Sequence, residues 1–362
     1  MTPKQKHNLQ IILRFTAFWT LFGTLYGIVE YGLLGETGLY PSTQNVYGGK
    51  SQIVYVIVGA GLLGAVVGTM EVFFFKNLFL KKPFVFKVIF KSAFYSILIL
   101  IFLIVLGAIF TSHRLNKAII DAVVIQSQMR FISNFAFFSI FIYIGFAFFL
   151  SFFIFEMSKS MGIMVVYNFI TGKYHKPSIE DRIFMFIDMK GSTTIAEKLG
   201  HVKYYELLNK YYADMSDPIL NSQGEIYQYV GDEIIISWPK SIGIKNNNCL
   251  NCFYDIRDNI NLKSSEYFNA FSLVPQFKAG LHCGPVTTGE IGQLKKEIVF
   301  TGDVLNTTSR IQMLCNEYNA QLLASQQVLD LLTLNNEYDI TPMGEIQLKG
   351  KNRKINISTV AK

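Results

Sequence analysis

Four stretches of the chain are apolar for about the 20 residues that a membrane crossing needs. They are residues 10–34, 52–75, 92–111 and 131–155. Backbone groups in lipid must bond within their own segment, so each stretch is expected to be a helix. The first is long and lacks a clear small-residue cleavage site, so it reads as a span and not as a cleavable signal. Across all 362 residues, 51% are hydrophobic and only 16% charged, with mean hydropathy +0.31. That is too apolar for an ordinary soluble protein and too charged for a purely membrane-embedded one. The length allows two domains. Apolar residues dominate residues 9–156, and charges become frequent after Tyr174.

The net charge of +7 does not by itself call for nucleic acid. Basic residues beside spans set orientation in the bilayer. Lys76, Lys81, Lys82, Lys87 and Lys91 fall between spans two and three. Lys4 and Lys6 precede span one, Arg14 opens it, and Lys159, Lys173 and Lys176 follow span four. The loop between spans one and two has only Glu36 and Lys50, and the loop between spans three and four is mixed. This bias puts both termini in the cytoplasm, at the inner or plasma membrane, in agreement with an even number of spans.

Ala60, Gly64 and Gly68 make a small-residue stripe on span two, which favours close helix packing inside the bundle over a dimer seam. Glu30 and Glu71 lie in or near spans, where an ionisable group is a functional hypothesis. Proximity to a wet interface would explain both. Cys249, Cys252, Cys283 and Cys315 all fall in the half placed in the cytoplasm, so disulfides are not expected. The lone Cys249-Leu250-Asn251-Cys252 has no second pair to complete a zinc site. Residues 157–181 form a polar connector, broken by Gly172 to Pro177, and His175 reads as a solvated linker residue.

The chemistry lies further on. Ile183 to Ile187 is a nearly unbroken apolar run, the pattern of a buried strand, and Asp188 sits at its end. Gly191, Ser192 and Thr193 then turn into a helical pattern, whose N-terminal N–H groups can face phosphate. One amphipathic helix is expected from Ile195 to Tyr212. Ile226 to Val230 and Glu233 to Trp238 form a hairpin about Gly231-Asp232. If these strands are neighbours, Asp188 and Asp232 meet at one sheet end, where two carboxylates repel unless a cation lies between them. Hard oxygen ligands near phosphate suggest Mg²⁺ or Mn²⁺.

A further helix is expected over residues 249–271, and then a strand and turn from Phe277 to Pro285, where His282 reads as a strand residue and not a base. Asp303 is placed to cap a helix from Val304, on which Asn306 and Arg310 share a face. Near the end, Lys349 in Leu348-Lys349-Gly350 sits at a strand end.

From about Arg182 onward the chain resembles the class III nucleotidyl cyclases, the adenylate and guanylate cyclase catalytic domain. The matching residues are Phe186-Ile187-Asp188 with Gly191 and Thr193; Gly231-Asp232-Glu233; Gly280 to Pro285; Gly302-Asp303 with Asn306, Ser309 and Arg310; and Leu348-Lys349-Gly350. The resemblance implies an α+β ferredoxin-like domain with a βαββαβ core, and the four apolar spans add an α-helical membrane bundle ahead of it. It implies a head-to-tail homodimer with each site at the interface. Asp188 and Asp232, with the Met189 carbonyl, would hold two Mg²⁺ or Mn²⁺ ions. Gly191, Ser192, Thr193 and Lys349 would meet the phosphates. Asn306 and Arg310, from the partner chain, would orient the ribose and meet charge on the α-phosphate. At the base-reading positions the chain has Gln228 and Val299, where adenylate cyclases usually have Lys with Asp or Thr, and guanylate cyclases Glu with Cys.

The expected organisation is a transmembrane domain at residues 1–156, the connector, and a catalytic domain at residues 182–362. The expected activity is conversion of ATP to cyclic AMP. The alternatives are a guanylate cyclase using GTP, and a silent membrane receptor or scaffold that keeps the fold. A diguanylate cyclase fits less well, because Val230 replaces the second glycine of that family's turn and Ile234 its Phe.

Overall fold

The computed structural model describes the chain except residues 1–2, 41–46, 76–77, 80–81, 162–170, 295, 335–336 and 348–353. Lys76, Lys81 and the Leu348-Lys349-Gly350 segment therefore lie outside the described residues. Chain contacts separate a unit Lys6–Tyr167 from a unit of Asn168–Lys362 with Met1–Gln5.

The first unit is helical: α1 (Pro3–Leu34), α2 (Lys50–Phe73), α3 (Phe84–Leu115), α4 (Ala122–Ile132) and α5 (Phe135–Met161). Four of these, all but α4, contain a stretch long and apolar enough to cross a membrane. The short α4, between spans three and four, was not foreseen. Its N-cap is Asp121, whose carboxylate accepts the Val123 N–H at 2.8 Å. Phe15, Trp19, Tyr95, Phe148 and Phe152 form the aromatic centre of the unit. The small-residue stripe packs within it. A Cβ on Gly64 would lie 2.6 Å from the Phe15 carbonyl oxygen, and one on Gly68 2.8 Å from the Ile12 Cα, so α2 meets the backbone of α1.

Two expectations fail in this unit. Glu71 is not a wet interfacial carboxylate, and Lys91 is not a loop charge. Both are buried, and Lys91 Nζ bonds both Glu71 and Glu156. A carboxylate near a span end stays wet only if no neighbouring helix covers it, and here α3 and α5 do. Glu30 differs: half-buried, it accepts the Tyr26 and Tyr40 hydroxyls at 2.8 and 3.1 Å.

The second unit is built on β1 (Ser178–Met189), an inner strand of the sheet, in which Ile183 to Ile187 is buried throughout. After it come α6 (Ser192–Leu199), α7 (His201–Asn221), β2 (Glu225–Val230), β3 (Glu233–Pro239), α8 (Asn248–Leu262), α9 (Ser264–Phe271) and β4 (Phe277–Ile291). The strand order β2-β3-β1-β4 with antiparallel pairing throughout is the βαββαβ core. β5 (Glu297–Thr301) returns antiparallel along the end of β4. Then α10 (Asp303–Leu314) leads to β6 (Leu322–Ser325), parallel to β4, and to β7 (Asp339–Gln347) and β8 (Lys354–Ala361).

β1 is apolar on both sides because both sides are covered. Ile183, Met185, Ile187 and Met189 join the core under α7 and α8. Phe184 and Phe186 pack with Val304 of α10 on the other face. Gly280 lets α10 sit directly on the sheet: a Cβ there would be 2.5 Å from the Gln312 nitrogen.

The expected single helix over residues 195–212 is broken at Gly200, whose φ of 73° ends α6 and starts α7. The expected helix over residues 249–271 divides at Lys263. Cys249 and Cys252 are free, fully buried thiols of α8, packed in the core. His175 is exposed, 3.8 Å from Glu290.

Candidate active site

The site lies where β1 and the β2–β3 hairpin end together. Asp188 is paired in register with Glu233, the residue after Asp232, so the two aspartates arrive at one sheet end. The hairpin tip requires Gly231 at φ 63°. Tyr212 of α7 pins it, donating its hydroxyl to the Gly231 carbonyl at 2.8 Å and packing on Tyr229 at 4.5 Å.

Burial first, and then the apposed Asp232 carboxyl, hold Asp188 above the usual carboxylate range, against the pull of Lys278. Burial and the charges of Asp188 and Asp232 push Glu233 up to about 7. Asp232 Oδ2 is buried with no hydrogen-bond partner. Crowded acidic oxygens, one of them unsatisfied, are the condition that a divalent cation relieves. Met189, buried at the end of β1, follows Asp188 directly, so a backbone carbonyl is close in sequence. Among the described residues no cluster of three or more His, Cys, Asp or Glu side chains is arranged to hold a metal. The donor set is therefore two carboxylates with backbone oxygen, which suits a hard cation that keeps water or phosphate ligands.

Gly191 is the N-cap of α6 with φ 67°, and α6 starts at Ser192 and Thr193, four residues beyond the first carboxylate. The free N–H groups of this first turn lie close in sequence to the acidic pair.

Three contacts were not anticipated. Lys278 Nζ lies 3.2 Å from Asp188 Oδ2 and also donates to Asn316 Oδ1 at 3.1 Å. Gln312 Nε2 donates to Asp188 Oδ2 at 3.2 Å. Tyr212 fixes the tip. The readable signal was Lys278 itself, a lone cation in an otherwise apolar strand start.

Asn306 and Arg310 both lie on α10, Asn306 exposed and Arg310 half-buried. Gln312 faces Asp188 of its own chain. At about 100° per residue, Arg310 points roughly 200° away from Gln312 around the helix. Neither Asn306 nor Arg310 is brought to the Asp188 carboxylate as Gln312 is. Asp303 is not the cap: Gly302 is the N-cap residue and Asp303 opens the first turn.

Gln228 is exposed on β2 beside a register shift, and Val299 is half-buried on β5 opposite Gly289. Their neighbours Tyr227 and Phe300 stack edge-on at 4.9 Å, so the two strands carrying these positions touch. His282 is buried in β4 and its Nδ1 shares a 2.8 Å hydrogen bond with the Ser325 hydroxyl, a structural role.

Residues 175–360 match the family described as the adenylate and guanylate cyclase catalytic domain. Adenylate cyclase 2 of Rhizobium meliloti (strain 1021) is 35% identical over 205 residues, 57% of this chain and 56% of that protein. Retinal guanylyl cyclase 2 of Bos taurus is 28% identical over 171 residues, 46% of this chain and 15% of that protein. The chain thus spans about half, or less, of the length of these relatives. Among solved structures, the adenylyl cyclase CyaB from P. aeruginosa aligns with 52% of this chain and 96% of its own, at 20% identity and TM-score 0.45. A bacterial light-regulated adenylyl cyclase aligns with 58% and 64%, at 21% identity and TM-score 0.49. The family match covers just over half of the chain and includes every described element that carries the site, and the chain belongs to the class III adenylate and guanylate cyclase family.

Proposed function

We propose that the protein is a membrane-anchored adenylate cyclase, converting ATP to 3′,5′-cyclic AMP and pyrophosphate. The ribose 3′-oxygen attacks the α-phosphorus, the bond to the β-phosphate oxygen breaks, and the hydroxyl proton is lost. The observation that carries the reading is the Asp188–Asp232 pair, with its stranded Asp232 oxygen and raised Asp188 carboxyl.

Asp188 and Asp232, with the Met189 carbonyl, hold divalent cations, Mg²⁺ or Mn²⁺. When bound, such ions make the 3′-hydroxyl more acidic and neutralise phosphate charge. Gly191, Ser192 and Thr193 offer backbone N–H groups to the phosphates. Arg310 meets the charge growing on the α-phosphate, and Asn306 orients the ribose. Since Gln312 turns α10 toward its own Asp188, Arg310 and Asn306 serve the carboxylates of a second copy. A head-to-tail homodimer satisfies this. Lys349 is assigned to the terminal phosphates from the family pattern alone.

The relative of 35% identity is an adenylate cyclase, which favours ATP. Gln228 can donate and accept toward a purine edge, and Val299 supplies shape only. Residues 1–156 form the membrane domain, residues 157–181 the connector and residues 182–362 the catalytic domain, with both termini cytoplasmic.

The test is product analysis of the full-length protein in detergent with Mn²⁺ and either ATP or GTP. Cyclic AMP from ATP, lost in Asp188→Asn, is expected. Cyclic GMP from GTP, with no cyclic AMP from ATP, would reassign the substrate. Output unchanged by Asp188→Asn would overturn the assignment, and no product from either nucleotide would favour the silent scaffold.

A further inference from the structure

Outside the catalytic unit, one buried ionisable cluster has no role in the reaction. Glu71 of α2, Lys91 of α3 and Glu156 of α5 meet inside the helical unit. Lys91 Nζ donates to Glu71 Oε2 at 2.5 Å and to Glu156 Oε1 at 2.9 Å. The lysine side chain is 3% exposed, and those of the two glutamates 2% and 4%. All three sit at one end of the unit. Glu71 is two residues from the end of α2 and Glu156 five from the end of α5, and Lys91 is in the second turn of α3.

One ammonium between two carboxylates leaves a net negative charge if every group is ionised. The rings packed around it offer no countercharge. Lys91 Nζ lies 5.8 and 5.7 Å from the Phe152 and Phe155 ring centres, and Phe15 of α1 packs on both rings. Lys159 of α5 attracts both carboxylates through space, and Lys87 of α3 lies near Lys159. Among the described residues neither forms an ion pair with the cluster. An uncompensated buried charge is strongly unfavourable.

The atoms show where the missing positive charge belongs. Glu71 Oε1 and the Tyr95 hydroxyl lie side by side, both buried, and neither has another hydrogen-bond partner. The Glu156 carboxylate has no such stranded atom. We propose that Glu71 carries a proton on Oε1, so that the Glu71–Lys91–Glu156 triad is a proton-binding site of the helical unit. The loaded triad is a neutral acid beside a neutral Lys91–Glu156 pair. Loss of the proton strands a negative charge where α2, α3 and α5 meet and weakens their packing.

The test uses the full-length protein in lipid nanodiscs. Infrared spectra at about pH 7 should contain a protonated-carboxyl C=O band that is lost in Glu71→Gln and shifted in Glu71→Asp. Glu30→Gln should leave that band in place. The amide matches the shape and charge of a protonated glutamate, so Glu71→Gln should unfold at the wild-type temperature near neutral pH. It should also lose the wild-type decline in unfolding temperature as pH rises. A band unchanged in Glu71→Gln would overturn the proposal. So would a Glu71→Gln protein that is destabilised at every pH or fails to fold, since only an ionised Glu71 makes an ion pair to lose.

Discussion

Burial and the Asp232 carboxyl raise the cost of charge on Asp188, and burial with both aspartates does the same to Glu233. In the cation-free protein Asp188 and Glu233 keep protons that the unfolded chain has already released. Their contribution to stability therefore falls as pH rises from the ordinary carboxylate range to about 7, where Glu233 titrates. A divalent cation binds the deprotonated form, so its stabilising effect grows over the same window. Thermal unfolding of the full-length protein with and without Mn²⁺ should show a small shift at about pH 5 and a larger one at about pH 8. Asp188→Asn should remove most of that shift. It should also bring Glu233 down toward the usual carboxylate range, measurable by titration, because one of the charges that pushes it up is gone.

At the scale of elements, two packing features carry measurable weight. Gly280→Ala would drive a Cβ to within 2.5 Å of the Gln312 nitrogen and 2.7 Å of the Thr308 oxygen, both backbone atoms that cannot rotate away. A loss of about 1–3 kcal/mol is expected in equilibrium unfolding, with a loss of activity as α10 shifts. Asp214 ties α7 to its neighbours. Its carboxylate accepts Lys263 Nζ at 2.5 Å and the Tyr267 hydroxyl at 2.8 Å, with Lys210 at 3.2 Å. Burial opposes its charge, but these bonds outweigh burial and hold the carboxyl below its ordinary value. Its contribution is present above the unfolded value and is lost as pH falls through the folded one. Asp214→Asn should lower stability by about 1–3 kcal/mol near neutral pH and flatten the acid limb of the stability curve.

The same scale shows what the sequence could and could not disclose. The apolar run of β1 and the hairpin about Gly231 were legible because local chemistry dictates them. The acidic pair followed from both. The first half of β1 was hidden, since Ser178 and Glu180 read as connector although they pair with β4. Arg182 is buried through contacts with Glu180, Glu225 and Ser237, which are distant or polar partners invisible to periodicity. Gly200 and Lys263 broke helices whose apolar spacing runs straight through both positions. Lys278 and Gln312 reach Asp188 only because β4 and α10 fold onto β1, a tertiary fact. In the helical unit, Lys91 was read as a loop charge because span length alone does not say where a helix begins.

For the whole molecule, the proposed pairing makes each site depend on two chains. Asp188→Asn and Arg310→Ala should each abolish cyclic-nucleotide formation when present in every chain. Co-expressed in equal amounts, they should restore about a quarter of wild-type activity, because half of the pairs are mixed and each mixed pair keeps one intact site. Complementation absent from such mixtures would show that Arg310 serves its own chain. The placement of α10 has a consequence for titration by substrate. One flank of this rod touches the acidic floor of its own cleft through Gln312, and in the proposed pairing the opposite flank roofs the neighbour's. Filling either cleft therefore loads a lever shared with the other, and the two vacancies of an assembled pair should fill with unequal affinity.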